Sequence, residues 1–434
     1  MSRALADLLA GSPFQAYVYS YPHKTTYRDL APPVPLREAW AAEDRSALFL
    51  YLHVPFCEQR CGFCNLFTQS QPPQRQITAY LDALERQAET VAREVRPQGF
   101  ARMAVGGGTP TFLAPAQLER LFRIAAGLGA TRIPCSVELS PVTATAERVA
   151  VLRSHGVSRA SIGVQSTSAP ETAALRRHQD PDVVAAAITR LRDAGFPTVN
   201  ADLMYGQTGQ TPDSLVRSID QVIGWGANEL YLYPLYVRPL TILGRLGAGA
   251  VATQAELYLA GRDHLRRLGW RQRSMRLFQA PATPVEAGPA YRCQEDGMIG
   301  LGPGARSYTA TLHYASGYAV GQTAIRDHIG AWSATTDFAL IRHGFVLDGE
   351  DQRRRYAILS LLESGLDEAA YARRFATSVA DDLPMLDEGL PLGLLAHDDG
   401  VWRLTDRGVG HADVIGRWLF SRRVEQLMEA WTGA

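Results

Sequence analysis

Residues 51–68, YLHVPFCEQRCGFCNLFT, hold three of the five cysteines of this chain within eight positions. Cys57, Cys61 and Cys64 follow an apolar run with the composition of a buried strand, and their spacing is C-x3-C-x2-C. Three thiolates are one ligand short of a closed tetrahedral metal site. The stretch therefore predicts a strand that leads into a metal-binding loop with one open position.

Two kinds of metal site use thiolates in this way. A Cys3His zinc site would take His53 as its fourth ligand, but His53 lies within the strand run and the paired C-x2-C spacing of zinc knuckles is absent. The other kind is an iron–sulfur cluster, and three thiolates on a [4Fe–4S] cluster leave one iron free to bind a ligand. The spacing and its position after a strand favour the cluster.

The composition is that of an ordinary globular protein. Hydrophobic residues make up 46% of the 434 residues, and 44 basic side chains balance 44 acidic ones. This balance argues against a general nucleic-acid or membrane-surface binder. Lys24 is the only lysine, so 43 of the 44 cationic side chains are arginines. Such a bias suits carboxylate or phosphate recognition, but it is also the product of GC-rich coding.

The sequence also indicates a compartment. The N-terminus has no sustained apolar core or small-residue cleavage site, so we expect no secretory signal, and no apolar run is long enough to predict a transmembrane helix. Five cysteines, an odd number with three close together, do not form a disulfide framework. A reducing cytoplasm is the predicted location.

Apolar strand-like runs alternate with amphipathic stretches from residue 46 to about residue 235. This alternation predicts parallel strands joined by helices, and six such units predict a (β/α) barrel, complete or partial, with its chemistry at the carboxyl ends of the strands. The predicted strands cover residues 47–54, 101–105, 135–139, 159–164, 198–205 and 229–235, and the predicted helices lie near 78–94, 115–127, 145–154, 181–194 and 212–225.

Two regions flank the predicted barrel domain of residues 46–310. Residues 1–45 are aromatic and proline-rich, which predicts an irregular N-terminal leader that wraps over the barrel. The segment GPGARSY at 302–308 is predicted to be a connector. Residues 311–434 predict a small C-terminal domain of winged-helix type, in which Asp399-Gly400 favours a hairpin turn.

The cysteine spacing, with an aromatic residue before the last cysteine, resembles the radical S-adenosylmethionine (SAM) superfamily. YLHVPFC resembles the start of its HemN-like branch, which includes oxygen-independent coproporphyrinogen III oxidases, HemW haem chaperones and class C methyltransferases. The resemblance implies an α/β fold, a (β/α)6 partial barrel with a small HemN-like C-terminal domain. It also implies that the open iron binds the amino and carboxylate groups of SAM and that an electron cleaves SAM to a 5′-deoxyadenosyl radical, which takes a hydrogen atom from the substrate.

Further motifs extend the resemblance over roughly residues 46–310. GGGTPT at 106–111 resembles the glycine motif for the SAM amino group, and SVELSP, SIGVQS, LRRHQ and DLMYGQTGQT match later family positions in order and spacing. Two of these residues also have a purely structural interpretation. In it, Arg177 is a solvent-exposed residue of a helix and Glu138 lies next to a helix cap. The SAM-binding residues that the resemblance implies are Gly106, Gly107, Gly108, Thr109, Glu138, Gln165, Arg177 and Asp202.

Four further residues have weaker assignments. Tyr51, which fits the strand aromatic beside the cluster, and Cys293, a candidate substrate-proximal thiol, are the catalytic candidates. Met204 and Tyr236 align with the wall of a second SAM site in the family, and the alternative is that both are core residues of their strands. YSYP at 19–22 and LGPGARS at 301–307 also resemble family segments.

The chain departs from coproporphyrinogen oxidases at Leu66, because those enzymes carry a further cysteine two positions after the third ligand. Three functions remain open. The favoured one is a HemN-like radical SAM enzyme acting on a small molecule, with methyl or methylene transfer from a second SAM as an option; the others are a coproporphyrinogen III oxidase and a haem-binding chaperone of HemW type. The enzyme hypotheses imply a small-molecule substrate and an electron donor such as flavodoxin or ferredoxin, without nucleic-acid or membrane partners.

Overall fold

A computed structural model gives the fold and describes residues 4–14, 18, 20–284 and 292–431. These residues contain eighteen strands. The strands are β1 (Arg28–Pro35), β2 (Leu48–Val54), β3 (Phe56–Cys57), β4 (Gln69–Ser70), β5 (Phe100–Gly107), β6 (Cys135–Leu139), β7 (Arg159–Gln165), β8 (Thr198–Tyr205), β9 (Glu229–Pro234), β10 (Arg271–Gln272), β11 (Leu277–Gln279), β12 (Met298–Leu301), β13 (Arg306–Tyr308), β14 (Leu312–Ala315), β15 (Leu340–Val346), β16 (Leu366–Asp367), β17 (Leu395–Asp398) and β18 (Val401–Leu404).

The same described ranges contain eighteen α-helices, and three short 3-10 helices lie at Lys24–Thr26, Pro110–Phe112 and Pro384–Gly389. The α-helices are α1 (Leu5–Leu9), α2 (Leu36–Ala39), α3 (Gln74–Glu94), α4 (Pro115–Gly127), α5 (Ala146–Ser154), α6 (Ala169–Ala174), α7 (Pro181–Asp193), α8 (Pro212–Trp225), α9 (Ile242–Arg245), α10 (Gln254–Arg267), α11 (Cys293–Asp296), α12 (Gln322–Ser333), α13 (Gly349–Glu363), α14 (Glu368–Phe375), α15 (Val379–Asp382), α16 (Asp406–Gly410), α17 (Ala412–Trp418) and α18 (Arg422–Glu429).

The six predicted barrel strands are present and adjacent. β2, β5, β6, β7, β8 and β9 are parallel neighbours in that order within one 13-stranded sheet. In β2 the leucines at 48, 50 and 52 are fully buried, whereas Tyr51 alternates with them and belongs to the other face of the sheet. The predicted α/β fold with a partial barrel is therefore confirmed, because this row of strands continues past β2 to β12 instead of closing on β9.

Local sequence signals account for the helices between the strands. α8 is a clear case, because Pro212 occupies its first turn and the Thr211 hydroxyl accepts the N–H of Ser214 at 3.2 Å. The helix ends at Gly226, whose φ of +119° belongs to the left-handed region that glycine adopts without strain. Such caps turn the chain back to the next strand within a few residues.

Of the connector predicted at residues 302–308, residues 302–305 form the turn after β12, whereas residues 306–308 form β13 and belong to the sheet. β12 pairs in parallel with β2. From β12 the sheet continues through β13, β14 and β15 to β1, and each of these strands is antiparallel to the one before it. β12 and β13 have four and three residues, too few for a periodic pattern to reveal them. The predicted boundary at residue 310 thus falls inside one sheet, and the division into domains stays a prediction.

The prediction that the leader is irregular is wrong for α1 and α2, which are helical, and for residues 28–35. These residues form β1 at the edge of the sheet, and their register with β15 is interrupted between Asp29 and Val34. Pro32 and Pro33 lie in this interruption, where no ladder hydrogen bonds are required, so proline is tolerated there. Tyr19, in the YSYP motif, lies outside the described residues.

The C-terminal residues build a second apolar core on top of the sheet's antiparallel end. α1 of the leader contacts α17, and Leu5 and Tyr21 are buried among C-terminal side chains such as Ile415. The predicted hairpin is present, because β17 and β18 pair across Asp399 and Gly400, which have φ values of +52° and +72°. In the described part of the chain, no helix is both long and apolar enough to cross a membrane.

A buried ion pair joins the C-terminal residues to the barrel. The Arg276 guanidinium donates to Asp413 Oδ2 on α17 at 2.5 Å, and the Tyr236 hydroxyl donates to the same oxygen at 2.5 Å. The side chains of Arg276 and Asp413 are 5% and 1% exposed, so neither charge has access to bulk water. Removing one partner would leave the other charge buried without compensation.

We predict that Asp413→Ala lowers the free energy of unfolding by about 3–5 kcal/mol, the usual cost of breaking a buried ion pair. Asp406→Ala is the matched control, because Asp406 joins the same region to Arg266 of α10 but is 80% exposed, and its loss should cost about 0–1 kcal/mol. Chemical unfolding followed by circular dichroism measures both. Equal losses in the two variants would contradict the assignment.

Candidate active site

The three cysteines lie in the loop after β2, at the carboxyl end of the barrel strands. β3 and β4 pair in parallel and close this loop, and the N–H of Gln71 donates to the carbonyl of Cys57 at 3.0 Å. On the other side, the N–H of Gly62 donates to the carbonyl of Leu175 at 2.9 Å, and its carbonyl accepts the N–H of Leu243 at 2.9 Å. Neighbouring helices α6 and α9 therefore hold the loop in place.

The glycine motif brings the end of β5 against the cysteine loop. The N–H of Gly108 donates to the carbonyl of Val54 at 2.8 Å, and the N–H of Thr109 donates to that of Phe56 at 2.7 Å. A Cβ at Gly108 would lie 2.4 Å from the Phe56 carbonyl oxygen, so only glycine permits this approach. The approach places the Thr109 hydroxyl 3.3 Å from the sulfur of Cys57.

Hydrogen-bond donors meet the sulfur atoms of two cysteines. The Thr68 hydroxyl donates to Cys57 Sγ at 3.2 Å, and Arg177 Nη1 donates to Cys61 Sγ at 3.1 Å. Arg177 is buried and also donates to the carbonyl of Gly163 at 2.6 Å, which does not fit the alternative of a solvated helix residue. Donors to sulfur stabilise thiolates and tune iron–sulfur clusters, so the donor set fits an anionic cluster.

His53 does not complete a zinc site. Its Nε2 lies 3.0 Å from the carbonyl oxygen of Phe67, and burial lowers its pKa to about 4. Within the described ranges, no group of three His, Cys, Asp or Glu side chains is arranged to hold one metal ion. The ligands of a single zinc ion all lie about 2.0–2.3 Å from it, so the arrangement does not fit the Cys3His alternative.

Acidic and amide side chains line the lumen of the barrel next to the cysteine loop. Glu138 Oε2 accepts the N–H of Gly107 at 3.0 Å, and Asp202 Oδ1 accepts a hydrogen bond from Asn200 at 2.7 Å. Glu138 is exposed to the lumen and Asp202 is half-buried there. The buried Asn200 Oδ1 has no hydrogen-bond partner among the described residues, and a Cβ at Gly106 would lie 2.9 Å from the Glu138 carboxylate.

Both carboxyl groups have raised pKa values. Desolvation by the barrel wall, followed by repulsion from Asp202, raises the pKa of Glu138 to about 7. Desolvation also raises the pKa of Asp202 to about 6, against the hydrogen bond from Asn200 and the charge of Arg159. A positively charged ligand beside them would lower both values. SAM carries a sulfonium and an ammonium group, so the pair fits SAM.

Three more predicted residues lie at or near the barrel. Gln165 ends β7 with a φ of +69°, opposite an irregularity in the pairing with β8. Tyr51 is half-buried, and its hydroxyl lies 3.4 Å from His53 Nδ1. Cys293 begins α11, and burial raises the pKa of its thiol to about 11. Their functional roles stay predictions.

The two residues assigned to a second SAM site have other partners. Met204 is buried in a small apolar cluster with Leu175, Leu235 and Leu243. The Tyr236 hydroxyl is bonded to Asp413 and also accepts a hydrogen bond from Arg276. These contacts support the alternative that both are structural residues.

Sequence reasoning missed two residues of the cysteine loop. Arg60 Nη2 donates to the carbonyl of Val320 at 2.7 Å and to that of Cys64 at 3.4 Å. Arg60 lies between Cys57 and Cys61 in the sequence, and this position could have indicated that it stabilises the loop. Thr68 follows Cys64 by four positions, and only the β3–β4 pairing returns it to Cys57, so no local pattern could have identified it.

We predict that Gly62→Ala impairs the cysteine loop. A Cβ at Gly62 would lie 2.9 Å from the Leu175 carbonyl oxygen and 3.1 Å from Leu243 Cγ, so the loop must move away from α6 and α9. Iron and sulfide per chain after anaerobic reconstitution should fall at least twofold. Gly127→Ala is the control, because nothing lies within 4 Å of a Cβ there. Equal iron content in both variants would show that the loop tolerates displacement.

Comparisons with known proteins identify the family of this chain. The family model for the Radical SAM superfamily matches residues 51–222. The chain is 31% identical to the heme chaperone HemW of Bacillus subtilis over 275 residues, 59% of this chain and 70% of that protein. It is 27% identical to the oxygen-independent coproporphyrinogen III oxidase of Pseudomonas aeruginosa over 341 residues, 73% of this chain and 72% of that enzyme.

A solved structure has the same fold. The coproporphyrinogen III oxidase HemN from Escherichia coli superimposes with a TM-score of 0.80, covering 93% of this chain and 97% of that one at 23% identity. The family resemblance predicted from the cysteine and glycine motifs is confirmed. The chain therefore belongs to the HemN-like branch of the radical SAM superfamily and is a radical SAM enzyme, whose family implies a [4Fe–4S] cluster and SAM as cofactors.

Proposed function

We propose that this enzyme cleaves SAM at a [4Fe–4S] cluster held by Cys57, Cys61 and Cys64 and then takes a hydrogen atom from a small-molecule substrate. The observation that carries the proposal is the separation of charge within the site. Donors face the cysteine sulfurs, whereas two carboxyl groups with raised pKa values face the lumen. An anionic cluster beside a cationic SAM requires surroundings of these two opposite kinds.

Each part of the site has its own role in this proposal. When bound, the cluster supplies the electron that converts SAM to methionine and a 5′-deoxyadenosyl radical. Arg177 and Thr109 hold the sulfurs of Cys61 and Cys57 in position. Glu138 and Asp202 bind and orient the positive groups of SAM. The side-chain oxygen of Asn200, Oδ1, is available to accept one further hydrogen bond.

A coproporphyrinogen III oxidase is the second candidate function. The similarity to the Pseudomonas aeruginosa enzyme over 73% of this chain favours it. The residue two positions after Cys64 is Leu66, with a side chain 46% exposed, where the family resemblance leads us to expect a cysteine in oxidases. We therefore propose a different small-molecule substrate.

A haem-binding role is the third candidate, and the similarity to HemW of Bacillus subtilis favours it. Purification with stoichiometric haem and no SAM turnover would support it over both enzyme proposals. For an enzyme, we infer an electron donor such as flavodoxin or ferredoxin. We also infer a cytoplasmic location, where reducing conditions disfavour disulfides; the five cysteines, all of them among the described residues, form no disulfide in this fold.

The first prediction concerns the cysteines. Anaerobic reconstitution should give about four irons and four sulfides per chain, and replacing Cys57, Cys61 and Cys64 by alanine should abolish both. Cys135→Ala is the control, because Cys135 is also buried and free but lies in β6 outside the loop. One zinc per wild-type chain without a brown chromophore would contradict the proposal.

The second prediction concerns the lumen carboxylates. Asp202→Asn should weaken SAM binding about 10- to 150-fold, since a hydrogen bond to a charged group contributes about 1.5–3 kcal/mol, and should leave the iron content unchanged. The control is Asp213→Asn, an exposed carboxylate on α8. SAM titration into reconstituted protein measures both. Unchanged affinity in Asp202→Asn and in Glu138→Gln would refute the assignment.

SAM affinity should also depend on pH. Protonation of Glu138 and Asp202, whose pKa values are about 7 and 6, removes the negative charge that attracts SAM. Affinity should therefore be highest above pH 7 and should fall as the pH decreases through 6. Both single-residue variants should flatten this profile, and a flat profile in the wild type would contradict the role of the pair.

The third prediction concerns the number of SAM molecules. Methyl or methylene transfer would require a second SAM, but Met204 and Tyr236 make contacts within the chain that support structural roles. We propose a single SAM. Titration should saturate at one SAM per chain, and methyl-deuterated SAM with dithionite and a candidate substrate should release 5′-deoxyadenosine and methionine without S-adenosylhomocysteine. Saturation at two, with S-adenosylhomocysteine released as well, would establish the transfer chemistry instead.

A further inference from the structure

The segment that follows α6, residues 175–179, lies directly against the cysteine loop. Gln59 Nε2, from within the loop, donates to the carbonyl of His178 at 3.2 Å. Next to this contact, Arg177 Nη1 donates to Cys61 Sγ at 3.1 Å. Arg177 and Cys61 are each only 8% exposed. The cationic donor therefore meets the sulfur away from bulk water, and its exact position depends on the protein around it.

Two further acceptors hold the guanidinium group of Arg177. Nη2 donates to the carbonyl of Gly163 at 2.6 Å, and Nε donates to Gln179 Oε1 at 2.9 Å. A guanidinium group is planar and its N–H groups have fixed directions, so these two acceptors determine where Nη1 lies. Gly163 contributes a backbone oxygen, whereas Gln179 contributes a side chain that a substitution can remove.

The side-chain amide of Gln179 has one possible orientation. Its Nε2 donates to the carbonyls of Val164 and Ser166 at 2.9 and 3.1 Å. A carbonyl oxygen can only accept a hydrogen bond, so both contacts require the NH2 group of the amide, and the amide oxygen must face Arg177. The half-buried Gln179 side chain therefore uses both of its polar ends to join Arg177 to the end of β7.

The turn to which Gln179 binds is also held by other contacts. The buried Ser166 hydroxyl donates to the Glu171 carboxylate of α6 at 2.7 Å and accepts the N–H of Ser168 at 2.9 Å. The N–H of Ser166 donates to the carbonyl of Val164 at 2.9 Å. These bonds do not involve the Gln179 side chain, so its loss should release the guanidinium group without unfolding the turn.

The position of a cationic donor at a cysteine sulfur matters for the reduction of a cluster. Reduction of a [4Fe–4S] cluster adds one negative charge, and hydrogen bonds to the sulfurs are among the factors that set its potential. A hydrogen bond from a charged donor is stronger when the acceptor is more negative, so Arg177 stabilises the reduced form more than the oxidised form. A guanidinium group displaced from Cys61 would lower the potential.

We propose that Gln179 is a positioning residue that holds Arg177 on Cys61 Sγ and thereby raises the reduction potential of the cluster. The inference rests on the proposed function, because it requires a cluster bound by the three cysteines. It adds a residue to which the sequence motifs give no role.

Two variants with the same substitution test the proposal. Gln179→Met removes both polar ends of the side chain at similar length. Gln352→Met is the control, because Gln352 of α13 is also half-buried and also donates to a backbone carbonyl, that of Leu347 at 3.4 Å. Both full-length variants and the wild type are reconstituted anaerobically and titrated with dithionite without SAM, and electron paramagnetic resonance measures the reduced cluster.

The potential of Gln179→Met should be lower than that of the wild type. At one applied potential, the ratio of reduced to oxidised cluster should fall about tenfold, the lower end of the effects seen when an outer partner of a metal ligand is lost. A tenfold fall corresponds to about 59 mV for a one-electron couple. Gln352→Met should match the wild type, and equal potentials in the two variants would overturn the proposal.

A double variant shows whether Gln179 acts through Arg177. Arg177→Lys keeps the positive charge but loses the planar fork of donors, so it should itself lower the potential. Adding Gln179→Met to Arg177→Lys should change the ratio of reduced to oxidised cluster less than twofold, because residues that act through one contact are not additive. A further tenfold fall in the double variant would contradict the positioning role.

Iron content separates positioning from a purely structural role. Gln179→Glu keeps an oxygen acceptor for Arg177 but places carboxylate oxygens against the carbonyls of Val164 and Ser166. If Gln179→Met binds less than half of the wild-type iron, Gln179→Glu should restore it, because Arg177 is held again. An equal loss of iron in both variants would show that Gln179 only stabilises the turn after β7, and the proposal would be overturned.

Failure of this inference differs from failure of the proposed function. A wild-type chain that assembles no cluster would reject both. A wild-type chain that has a cluster and releases 5′-deoxyadenosine, with equal potentials in Gln179→Met and Gln352→Met, would reject the positioning role and keep the radical chemistry. A lowered potential in Gln179→Met, in a protein whose wild type does not cleave SAM, would keep the positioning role and reject the radical chemistry.

Discussion

The close contact between the cysteine loop and the end of β5 is the constraint on which the site depends. Backbone N–H groups of Gly108 and Thr109 bond to carbonyls of the loop, and a Cβ at Gly108 would lie 2.4 Å from one of those oxygens. This contact turns the thiols toward the carboxyl ends of the barrel strands. It also brings Thr109 to Cys57 and Gly107 to Glu138, so the cluster ligands and the lumen carboxylates share one backbone framework.

The charged side chains of the barrel lumen differ in whether they have an oppositely charged partner. Arg159 and Glu229 form a pair at 2.7 Å between β7 and β9, so these two charges compensate each other. Glu138 and Asp202 have no such partner within the described ranges and retain raised pKa values that a cationic ligand would lower. The site thus offers one set of surroundings to an iron–sulfur cluster and another to SAM.

Patterns with several regular repeats predicted their structures well. The six barrel strands and their helices have strong periodicity, and the cysteine and glycine motifs carry their geometry in their spacing. Strands such as β12 and β13 were missed because three or four residues show no period. β1 was missed because its three prolines indicate irregular structure unless the interrupted pairing with β15 is known. The contact of Thr68 with Cys57 depends on long-range packing, which no local pattern encodes.

The central claim is that the three thiolates hold a cluster to which SAM binds directly, beside Glu138 and Asp202. Electron–nuclear double resonance of the reduced, reconstituted protein with SAM labelled with ¹⁵N in its amino group tests it most directly. The account predicts that the cluster signal shows a coupling to the ¹⁵N nucleus of SAM. In the variant with Cys57, Cys61 and Cys64 replaced by alanine, both the cluster signal and this coupling should be absent. A cluster signal that SAM leaves unchanged, with no nitrogen coupling at saturating SAM, would contradict the account.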